Sequence, residues 1–558
     1  MQTAVDTGAD GCYNGHILFI FLVVKSNFEH NRQKGQNFFL VFVKIPFVLR
    51  LHLKFMNKPH FKGESNMENK PALQKQLNPL SVWAIAFGCI IGWGSFINPG
   101  KKFLPNSGVA GTAIAMVLGA LVMVIIAFSY AYMVPKYPKA GGEFTFTKAC
   151  FGKLPAYLCG WFLVAAYLTN VPMNSTAIGL IVDGLDGTAN ILKFGFSYSI
   201  AGFRVYLGEI LLASAILILF GIFNLLGVKK AGYISTILAG LLVTSVLTLT
   251  IAALLSPKTN IENLAPLWGF DKSGAVEAMT NGTYQSIDQF AKGGSAGILS
   301  SILATFAIAP WAFVGFDTIP QAAEEFKFSY KKVSFIMMVA IAFGAFVYTA
   351  NNTIAAAALS NWPELIVEAE STPWLLLAAA EYLLGTSGKV LVGIAVSCAV
   401  LSGIMGFYMA SSRLMYSMSK DGYLPKFFGK LDSKYGIPRN AMLFCMAISL
   451  SGPVLGREAL GWFVDMSAIG ASIGFGFTSL STLVTLRKAG EKKPFVRLMA
   501  VVGAIFSAMF IVLQLVPIPG LEGVHFVDES YIMLFVWIVL GVLFYLLRGK
   551  QFDAATEE

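Results

Sequence analysis

The sequence predicts an all-α integral membrane protein with twelve transmembrane helices. Hydrophobic residues make up 56% of the 558 residues and charged residues only 13%, and the mean hydropathy is +0.66. A soluble domain carries about 25% charged residues. Apolar windows long enough to cross about 30 Å of hydrocarbon recur from Leu80 onward. They lack the short alternating pattern of transmembrane β-strands.

Twelve such windows follow one another along the chain. We place them at 80–104, 109–134, 154–182, 208–226, 231–255, 297–322, 333–359, 388–415, 440–456, 459–486, 495–516 and 531–548. The ninth window is short, but without it the base-rich stretch 487–497 would lie on the external side of the membrane.

Lysine and arginine residues predict the orientation, because cytoplasmic loops are enriched in them. If the segment before Leu80 is cytoplasmic, the cytoplasmic ends and loops from Met67 onward hold 24 of these residues and the external ones hold 9. We therefore expect a multi-pass protein of the cell membrane with both termini in the cytoplasm. The net charge of +10 largely reflects this loop bias and does not imply a nucleic-acid partner.

The first 66 residues differ in character from the rest of the chain. Their apolar runs are too short to span a membrane, and the layout is not that of a signal peptide. At Met67 a short polar lead-in begins and leads to the first span. Our hypothesis is that native translation starts at Met67 or Met56 and that 1–66 is a poorly ordered or mis-assigned extension. The alternative is a segment that lies on the membrane surface.

The sequence contains no pattern typical of a cofactor site, a metal centre or an enzyme active site. Its six cysteines form no CxxC pair and lie mostly in or beside apolar segments, so neither a disulfide framework nor a zinc site is expected. There is no Walker loop, and none of the five histidines lies within a predicted span. We therefore expect no cofactor, no bound metal and no catalytic activity.

The first span carries an unusual group of glycines. The stretch AFGCIIGWGSFINPG at Ala86–Gly100 places Gly88, Gly92 and Gly94 close together. Glycine costs a helix about 1 kcal/mol relative to alanine, and irregular backbone survives in a membrane only where it lines a protein-enclosed cavity. The group indicates either an unwound helix whose freed N–H groups bind an anion, or close helix packing through small residues.

The sixth span favours the unwound alternative. Pro310 removes a helix hydrogen bond near mid-membrane, and Gly315, Asp317 and Pro320 follow it. Discontinuous helices at corresponding positions of two halves are the best sequence indication of a transporter's binding site. The first and sixth spans occupy such positions if the first ten helices form a five-plus-five arrangement.

Four motifs occur in order along the predicted helical region. They are GCIIGWGSF at Gly88–Phe96, YPKAGGEFTFTKACFG at Tyr137–Gly152, FVGFDTIPQAAEE at Phe313–Glu325 and SSRLMYSMSKDGYLP at Ser411–Pro425. These motifs resemble those of the amino acid–polyamine–organocation (APC) family of transporters, which share the LeuT-like inverted-repeat fold. The resemblance extends from about Met67 to the C-terminus. Departures from the commonest forms stand at Trp93, Ser95, Phe144 and Phe146.

The resemblance implies a domain organisation, with helices one and six discontinuous. The expected segments are a cytoplasmic lead-in at 67–79, a first five-helix repeat at 80–255, an external loop at 256–296, a second five-helix repeat at 297–486, two C-terminal helices at 487–548 and a cytoplasmic tail at 549–558. The apolar stretch Pro373–Thr386 is too short to span and matches a capping helix between spans seven and eight.

The same resemblance implies a substrate site at the two breaks. The α-carboxylate of an amino acid would meet N–H groups of the first helix, and its α-ammonium group would meet carbonyl groups of both helices, as half-helix ends prefer. Trp311 would cover the bound substrate as a gate, or else serve in packing. The expected substrate-binding residues are Ile90, Ile91, Gly92, Trp93, Gly94, Ser95, Ile308, Ala309 and Trp311.

Further polar residues within spans are candidates for gating or ion coupling. Asn170 and Asn174 are expected either on the pocket wall or in interhelical hydrogen bonds. Asp317 is expected either to carry a coupling proton or to pair with a base as a latch on the cytoplasmic side. Glu324 and Glu325 are expected at a solvated helix end.

The coupling ion is left open between a proton and sodium. Sodium would need oxygen ligands, for which Ser397 and Ser402 in span eight are candidates, although both serines are equally suited to packing. Uncoupled exchange is a further alternative.

The residues and the resemblance together predict a secondary active transporter, either a symporter or an exchanger. It would move amino acids across the membrane by alternating access. The few acidic residues near the expected site favour small neutral amino acids. The alternative is an amine or polyamine transporter of the same fold, whose cargo would require carboxylates in the pocket. The expected partners are a small-molecule substrate, a coupling ion and the lipid bilayer.

Overall fold

The structure is a computed structural model and describes residues 72–186, 190–200, 202–369, 374–457, 459–518 and 524–554. The expectations for the extension at 1–66 lie outside these residues. The described part is predominantly helical. Its two-stranded sheet is a hairpin in which β1 (Ser197–Ile200) pairs antiparallel with β2 (Phe203–Tyr206).

The first group of helices corresponds to the first five predicted windows and the loop that follows the second. These helices are α1 (Pro79–Ile90), α2 (Gly94–Asn98), α3 (Leu104–Met133), α4 (Gly142–Phe151), α5 (Lys153–Asp186), α6 (Leu207–Leu225) and α7 (Val228–Leu255). A π-helical turn at Pro99–Phe103 joins α2 to α3.

The second group corresponds to the remaining windows and their connections. These helices are α8 (Lys272–Thr280), α9 (Gly294–Phe306), α10 (Ala309–Phe313), α11 (Thr318–Gln321), α12 (Val333–Ala357), α13 (Trp362–Glu368), α14 (Leu375–Leu384), α15 (Thr386–Lys420), α16 (Arg439–Ser449), α17 (Gly452–Leu455), α18 (Ala459–Lys488), α19 (Pro494–Leu515) and α20 (Asp528–Ala554). Short 3-10 helices lie at Ile261–Leu264, Ile287–Gln289, Ala323–Glu325, Tyr330–Lys332 and Lys426–Gly429.

Among the described residues, nine helices are long and apolar enough to cross a membrane. The longest of them, Gly94–Met133, bends at Gly108, whose φ of 63° is not helical. This bend falls between the first two predicted windows. The first, sixth and ninth windows contain shorter helices, namely α1 with α2, α9 with α10 and α11, and α16 with α17.

The two most extensive helix pairings are those of α5 with α18 and with α15. Small residues allow the close approach to α18: a Cβ atom on Gly470 would lie 2.9 Å from Ala166 Cβ, and one on Gly474 would lie 2.7 Å from Leu163 Cδ2. Helix α1 packs against α7, α15 and α12. These contacts surround the two interrupted helices with continuous ones.

The beginning of α1 follows from local sequence. Asn78 precedes the helix, and its side chain accepts a hydrogen bond from the Ser81 backbone N–H at 2.8 Å. Pro79 occupies the first helical position, where its missing N–H would have had no partner in the helix. The helix therefore has a fixed start only twelve residues before the point at which it stops.

Large apolar side chains cover the outer faces of the helices. Leu254 is 79% exposed, Leu546 69% and Phe535 66%, while buried asparagine, serine and threonine side chains lie inside. This inverted distribution is unfavourable in water and fits a hydrocarbon surrounding. The apolar stretch Pro373–Thr386, which is too short to span, contains helix α14, and this helix packs against α12 and α15.

Candidate functional site

Helix α1 ends at Ile90 within the first span, and α2 begins at Gly94 after three intervening residues. Ile91 is extended, with φ −93° and ψ 96°, and Gly92 and Trp93 form the connection. Within the described part of the chain, no backbone carbonyl accepts a hydrogen bond from the N–H groups of Gly92, Trp93 or Gly94. Three consecutive N–H groups thus stand without a backbone partner at the start of the second half-helix.

The glycines of this span serve two different purposes. A Cβ atom on Gly88 would lie 2.5 Å from Ser402 Cβ, so Gly88 lets α1 pack against α15. A Cβ atom on Gly92 would lie 3.3 Å from Asn174 Oδ1, and one on Gly94 would overlap with the Trp311 ring. Gly88 therefore serves close helix packing, whereas Gly92 and Gly94 lie where the helix is interrupted; anion binding by their N–H groups stays a prediction.

The sixth span is interrupted twice. Helix α9 ends at Phe306, the five-residue helix α10 follows, and a second interruption separates α10 from α11. At the second interruption Val314 has a ψ of 123° and Gly315 a φ of 146°. A Cβ atom on Gly315 would lie 2.6 Å from the Ile90 backbone nitrogen. The interruptions of the first and sixth spans are therefore in direct contact.

The more irregular of the two interruptions does not lie at Pro310, where the sequence predicts it. Pro310 falls in the first turn of α10, where proline is tolerated. The Ile308 carbonyl accepts a hydrogen bond from the Ala312 N–H at 3.0 Å, and Ala309 is already helical. The backbone departs furthest from a helix at Val314 and Gly315 instead.

Trp311 lies over the interruption of the first span. Its ring is 6.1 Å from the ring of Trp93, with an angle of 54° between the planes. Trp311 is 6% exposed and Trp93 3%. The two indoles thus enclose the backbone around Gly94.

Several buried polar atoms around the first interruption have no hydrogen-bond partner among the described residues. They are Trp93 Nε1, Asn98 Oδ1, Asn174 Oδ1, Asn351 Oδ1 and Asn352 Oδ1. Buried polar atoms are nearly always hydrogen-bonded. Such atoms also occur elsewhere among the described residues, but Asn174 and Asn351 lie beside the interruption itself and leave hydrogen-bonding capacity there for a polar ligand or for water.

Helix α12 contributes residues that the sequence analysis missed. Asn351 Nδ2 donates to the Ser95 carbonyl at 3.0 Å, and the Tyr348 hydroxyl donates to the Ile90 carbonyl at 3.4 Å. Two adjacent asparagines, Asn351 and Asn352, inside an otherwise apolar window were an available signal, because polar side chains are costly within a membrane.

The two asparagines of α5 have different surroundings. Asn170 Nδ2 donates to Ser467 Oγ on α18 and to the Ala166 carbonyl, both at 2.6 Å. Asn174 Nδ2 donates to the Asn170 carbonyl at 2.8 Å, and its Oδ1 points towards Gly92 without a partner. Asn170 thus joins two helices, whereas Asn174 faces the first interruption.

Asp317 belongs to a buried polar cluster without a base. Its Oδ1 accepts from the Gly315 N–H at 2.7 Å, and its Oδ2 accepts from the Tyr167 hydroxyl at 2.9 Å. The same hydroxyl is 3.3 Å from Glu143 Oε1. Of the two expectations for Asp317, an ion pair with a base is wrong for this structure, since its described partners are all neutral or acidic.

The latch-like ion pair involves Glu325 instead. Arg413 on α15 donates to both carboxylate oxygens of Glu325, at 3.1 Å and 2.9 Å. Both side chains are at most 2% exposed. The expectation that Glu325 lies at a solvated helix end is therefore wrong. Glu324 is half-buried and accepts a hydrogen bond from the Ala140 N–H at 3.1 Å.

The two serines considered for a sodium site do not form a pair. Ser402 is buried against Gly88, and its hydroxyl donates to the Cys398 carbonyl at 2.7 Å within its own helix. Ser397 is half-buried. Five residues turn an α-helix by about 140°, so the two hydroxyls leave α15 on different sides.

The fold and the site define a multi-span membrane protein with a polar site between two interrupted helices. A family model described as "Amino acid permease" matches residues 77–544. The chain therefore belongs to the amino acid permease family, which confirms the APC resemblance.

The relatives in this family are transporters. The chain is similar to the methylthioribose transporter of Bacillus subtilis (strain 168), with 23% identity over 89% of this chain and 98% of the relative. It is also similar to the branched-chain amino acid permease BcaP of the same organism, with 23% identity over 86% and 94% of the two chains. A third relative, the glutamate/serine transporter AimA, shows 26% identity over 80% and 79%. These relatives are not enzymes, as the sequence predicted.

Proposed function

We propose that this protein is a secondary active transporter that moves small neutral amino acids across the cell membrane by alternating access. In this proposal twelve spans form a five-plus-five inverted repeat and two C-terminal helices. The observation that carries the proposal is the contact between the interruptions of the first and sixth spans, at Gly315 and Ile90. Two broken helices that meet inside a membrane protein supply unpaired backbone groups of both signs at one place.

The substrate's α-carboxylate would bind the N–H groups of Gly92, Trp93 and Gly94. These groups lack backbone partners, and they lie at the positive end of the half-helix that continues from Gly94. The Ser95 N–H contributes less, because it already donates to the Gly92 carbonyl at 3.4 Å.

The α-ammonium group would bind carbonyl oxygens of both interrupted helices. Ile90 and Ile91 supply them from the first span, and Ile308 and Ala309 from the sixth. The Ile308 carbonyl accepts one hydrogen bond within the chain, which leaves its second lone pair for the substrate. A site built from backbone groups recognises the part that all amino acids share.

The side chains around the site favour a small neutral cargo. Trp93 and Trp311 restrict its size, and Asn174 presents an uncharged amide oxygen. Asp317 is turned towards Gly315 and Tyr167 and is held there by hydrogen bonds. An amine or polyamine would require a free carboxylate at the site, so this alternative is the less favoured one.

The proposed orientation places both termini in the cytoplasm. The end of the bundle that carries Glu325 would then face the cytoplasm, and it is closed in this structure. The Gln76 and Leu77 N–H groups donate to the Glu325 carbonyl at 2.9 Å, and the Lys327 N–H donates to the Leu77 carbonyl. These bonds tie the segment before α1 to the end of the sixth span.

The test is uptake of labelled amino acids into proteoliposomes, with sodium and proton gradients imposed separately. We expect Gly94→Leu to lower uptake at least tenfold, because the new side chain would overlap with Trp311 and fill the first interruption. Gly240→Leu is the matched control, since a Cβ atom there meets no atom within 4 Å. Normal uptake by Gly94→Leu, with both variants present in equal amounts, would contradict the proposed site.

A further inference from the structure

Two carboxyl groups, those of Glu143 and Asp317, lie in the interior next to the sixth span. Glu143 is on α4, in the loop between the second and third windows, and neither side chain has measurable exposure. The Tyr167 hydroxyl lies between them, 3.3 Å from Glu143 Oε1 and 2.9 Å from Asp317 Oδ2. A hydroxyl has a single proton and can donate to only one carboxylate at a time.

The other donors to this pair are neutral. The Tyr130 hydroxyl donates to Glu143 Oε1 at 2.7 Å, and Gln321 Nε2 donates to Glu143 Oε2 at 2.6 Å. Two buried carboxylates with only neutral donors would have to carry two uncompensated charges. Such burial is so costly that a buried acid binds a proton instead.

Among the described residues, no ion pair joins a base to Glu143 or Asp317, and the nearby bases lie or bind elsewhere. Lys148 of α4 itself pairs with Asp421 at 2.9 Å, and Lys136, which follows α3, pairs with Glu491. Arg413 on α15 is bound to Glu325. On α18 the bases are Arg487 and Lys488, which are exposed at its end. Lys153, at the start of α5, is half-buried, and on α15 Lys389 pairs with Glu381 while Lys420 donates to the Tyr416 hydroxyl at 3.1 Å. Two further titratable neighbours, Cys159 on α5 and Cys89 on α1, are buried.

The amide group of Gln321 can meet Glu143 in two orientations, one for each protonation state of the carboxyl group. Gln321 is fully buried, and its Oε1 has no hydrogen-bond partner among the described residues. Its amide group already lies against Glu143 through Nε2. In the orientation of the structure Nε2 donates to Glu143 Oε2 and, at 3.3 Å, to the Tyr167 hydroxyl, which suits a carboxylate. The opposite orientation of the amide would place Oε1 at Glu143 Oε2, where it accepts a hydrogen bond from a protonated carboxyl group.

We propose that Glu143, Tyr167 and Asp317 form a proton-binding site and that one proton shared by the two carboxyl groups holds α4 against the sixth span. This inference rests on the proposed transport function, because it assigns a regulatory ion to the closed end of the transporter. Asp317 also binds the N–H of Gly315, so the proton is linked through Asp317 to the interruption beside Ile90.

The sign of the pH dependence follows from the burial of Glu143. Burial, and next the charge of Asp317, raise the pKa of the Glu143 carboxyl to about 8. When this end opens and water reaches Glu143, its pKa returns towards the ordinary value of 4.5. The closed form therefore binds more protons than the open form between these values. Raising the pH in this range increases the ratio of open to closed protein by up to about tenfold per pH unit.

The first experiment measures proton binding directly and needs no substrate. Infrared difference spectra of the purified protein in lipid bilayers would be recorded between about pH 5 and about pH 9, the range of these pKa values. We expect a protonated-carboxyl band that disappears near the upper end. Glu143→Gln should remove this band, and Asp317→Asn should lower its midpoint because the neighbouring negative charge is lost.

Asp465→Asn is the control, since Asp465 is a half-buried acid of α18 that accepts a hydrogen bond from Ser530 Oγ at 2.7 Å. It should leave the band unchanged. The absence of any carboxyl band that titrates in wild-type protein would overturn the proposal, and so would a titrating band that neither Glu143→Gln nor Asp317→Asn changes. A wild-type band combined with no amino acid transport would instead contradict only the proposed function.

The second experiment tests the link to opening. Exchange of a labelled for an unlabelled amino acid across proteoliposomes would be measured over the same pH range. The wild-type rate should rise at least fivefold with pH, whereas Glu143→Gln should keep the low rate throughout, because its amide imitates the protonated acid. If Glu143→Gln instead keeps the wild-type pH profile, the proton does not control this end of the protein.

Discussion

The buried polar side chains of this protein are of two kinds. Asn170 and Ser402 have their donor groups bonded to neighbouring helices or to their own backbone. Trp93, Asn174 and Asn351 each keep a buried atom without a partner. An unsatisfied buried polar group costs about 1–3 kcal/mol. Atoms of the second kind occur at several places in the described residues, and those beside the first interruption leave hydrogen-bonding capacity there for a polar ligand or water.

Sequence analysis could identify the residues of the site better than it could identify their partners. The glycines and Trp311 stood out because their residue types are unusual for a membrane span. Glu325, however, was assigned to solvent because lysines follow it closely in the sequence. Its partner Arg413 is 88 residues away, and no local pattern connects the two.

The ion pair of Glu325 and Arg413 leads to a prediction about stability. Glu325→Gln would leave the buried guanidinium of Arg413 without a counter-charge, and breaking a buried pair in this way costs about 3–5 kcal/mol. We expect a decrease of this size in the free energy of unfolding, measured by denaturant titration in mixed micelles.

The control for this prediction is Glu381→Gln. Glu381 lies 3.6 Å from Lys389 and its side chain is 51% exposed, and exposed pairs contribute less than about 1 kcal/mol. Equal decreases in the free energy of unfolding of the two variants would mean that the buried pair contributes no more to stability than the exposed pair.

At the level of the helices, the sequence predicts the interruption of the first span at its glycines, and it predicts that the sixth span is interrupted but not at which residues the backbone is most irregular. The sequence predicts the interruption of the sixth span at the proline, because proline removes a helix hydrogen bond. In the structure Pro310 lies in the first turn of a new helix, where no such bond is lost. The interruption with the most irregular backbone depends on Gly315, whose φ of 146° few other residues can adopt.

Two substitutions in the sixth span therefore have opposite expected outcomes. Gly315→Ala forces a side chain into a strained backbone conformation, which costs about 1–3 kcal/mol, and places its Cβ atom 2.6 Å from the Ile90 nitrogen. We expect it to lower uptake in proteoliposomes at least tenfold. Pro310→Ala adds only an N–H group in a first helical turn and should keep uptake within about twofold of wild type. Lower uptake by Pro310→Ala than by Gly315→Ala would mean that the interruption depends on the proline.

At the scale of the whole molecule, composition was sufficient for the membrane class and for most helices. Nine of the described helices are long enough to cross a membrane, and the windows at the first, sixth and ninth positions contain the shorter ones. Helix packing was not predictable, because α5 contacts α18 and α15 through residues hundreds of positions apart. The orientation rests on the distribution of lysine and arginine and calls for a direct test.

Single cysteines placed at opposite ends of the bundle would determine the orientation. Ser273, in the loop at 256–296, and Lys430, between α15 and α16, are both exposed. Positive-inside bias puts the first outside the cell and the second in the cytoplasm. We expect a membrane-impermeant maleimide to label Ser273→Cys on intact cells, and Lys430→Cys only after the membrane is permeabilised. Four native cysteines are buried, so replacing Cys12 and Cys150 by serine gives a suitable background. Labelling of Lys430→Cys on intact cells would mean that the topology is the reverse of the proposed one. The closed end at Glu325 would then face outwards.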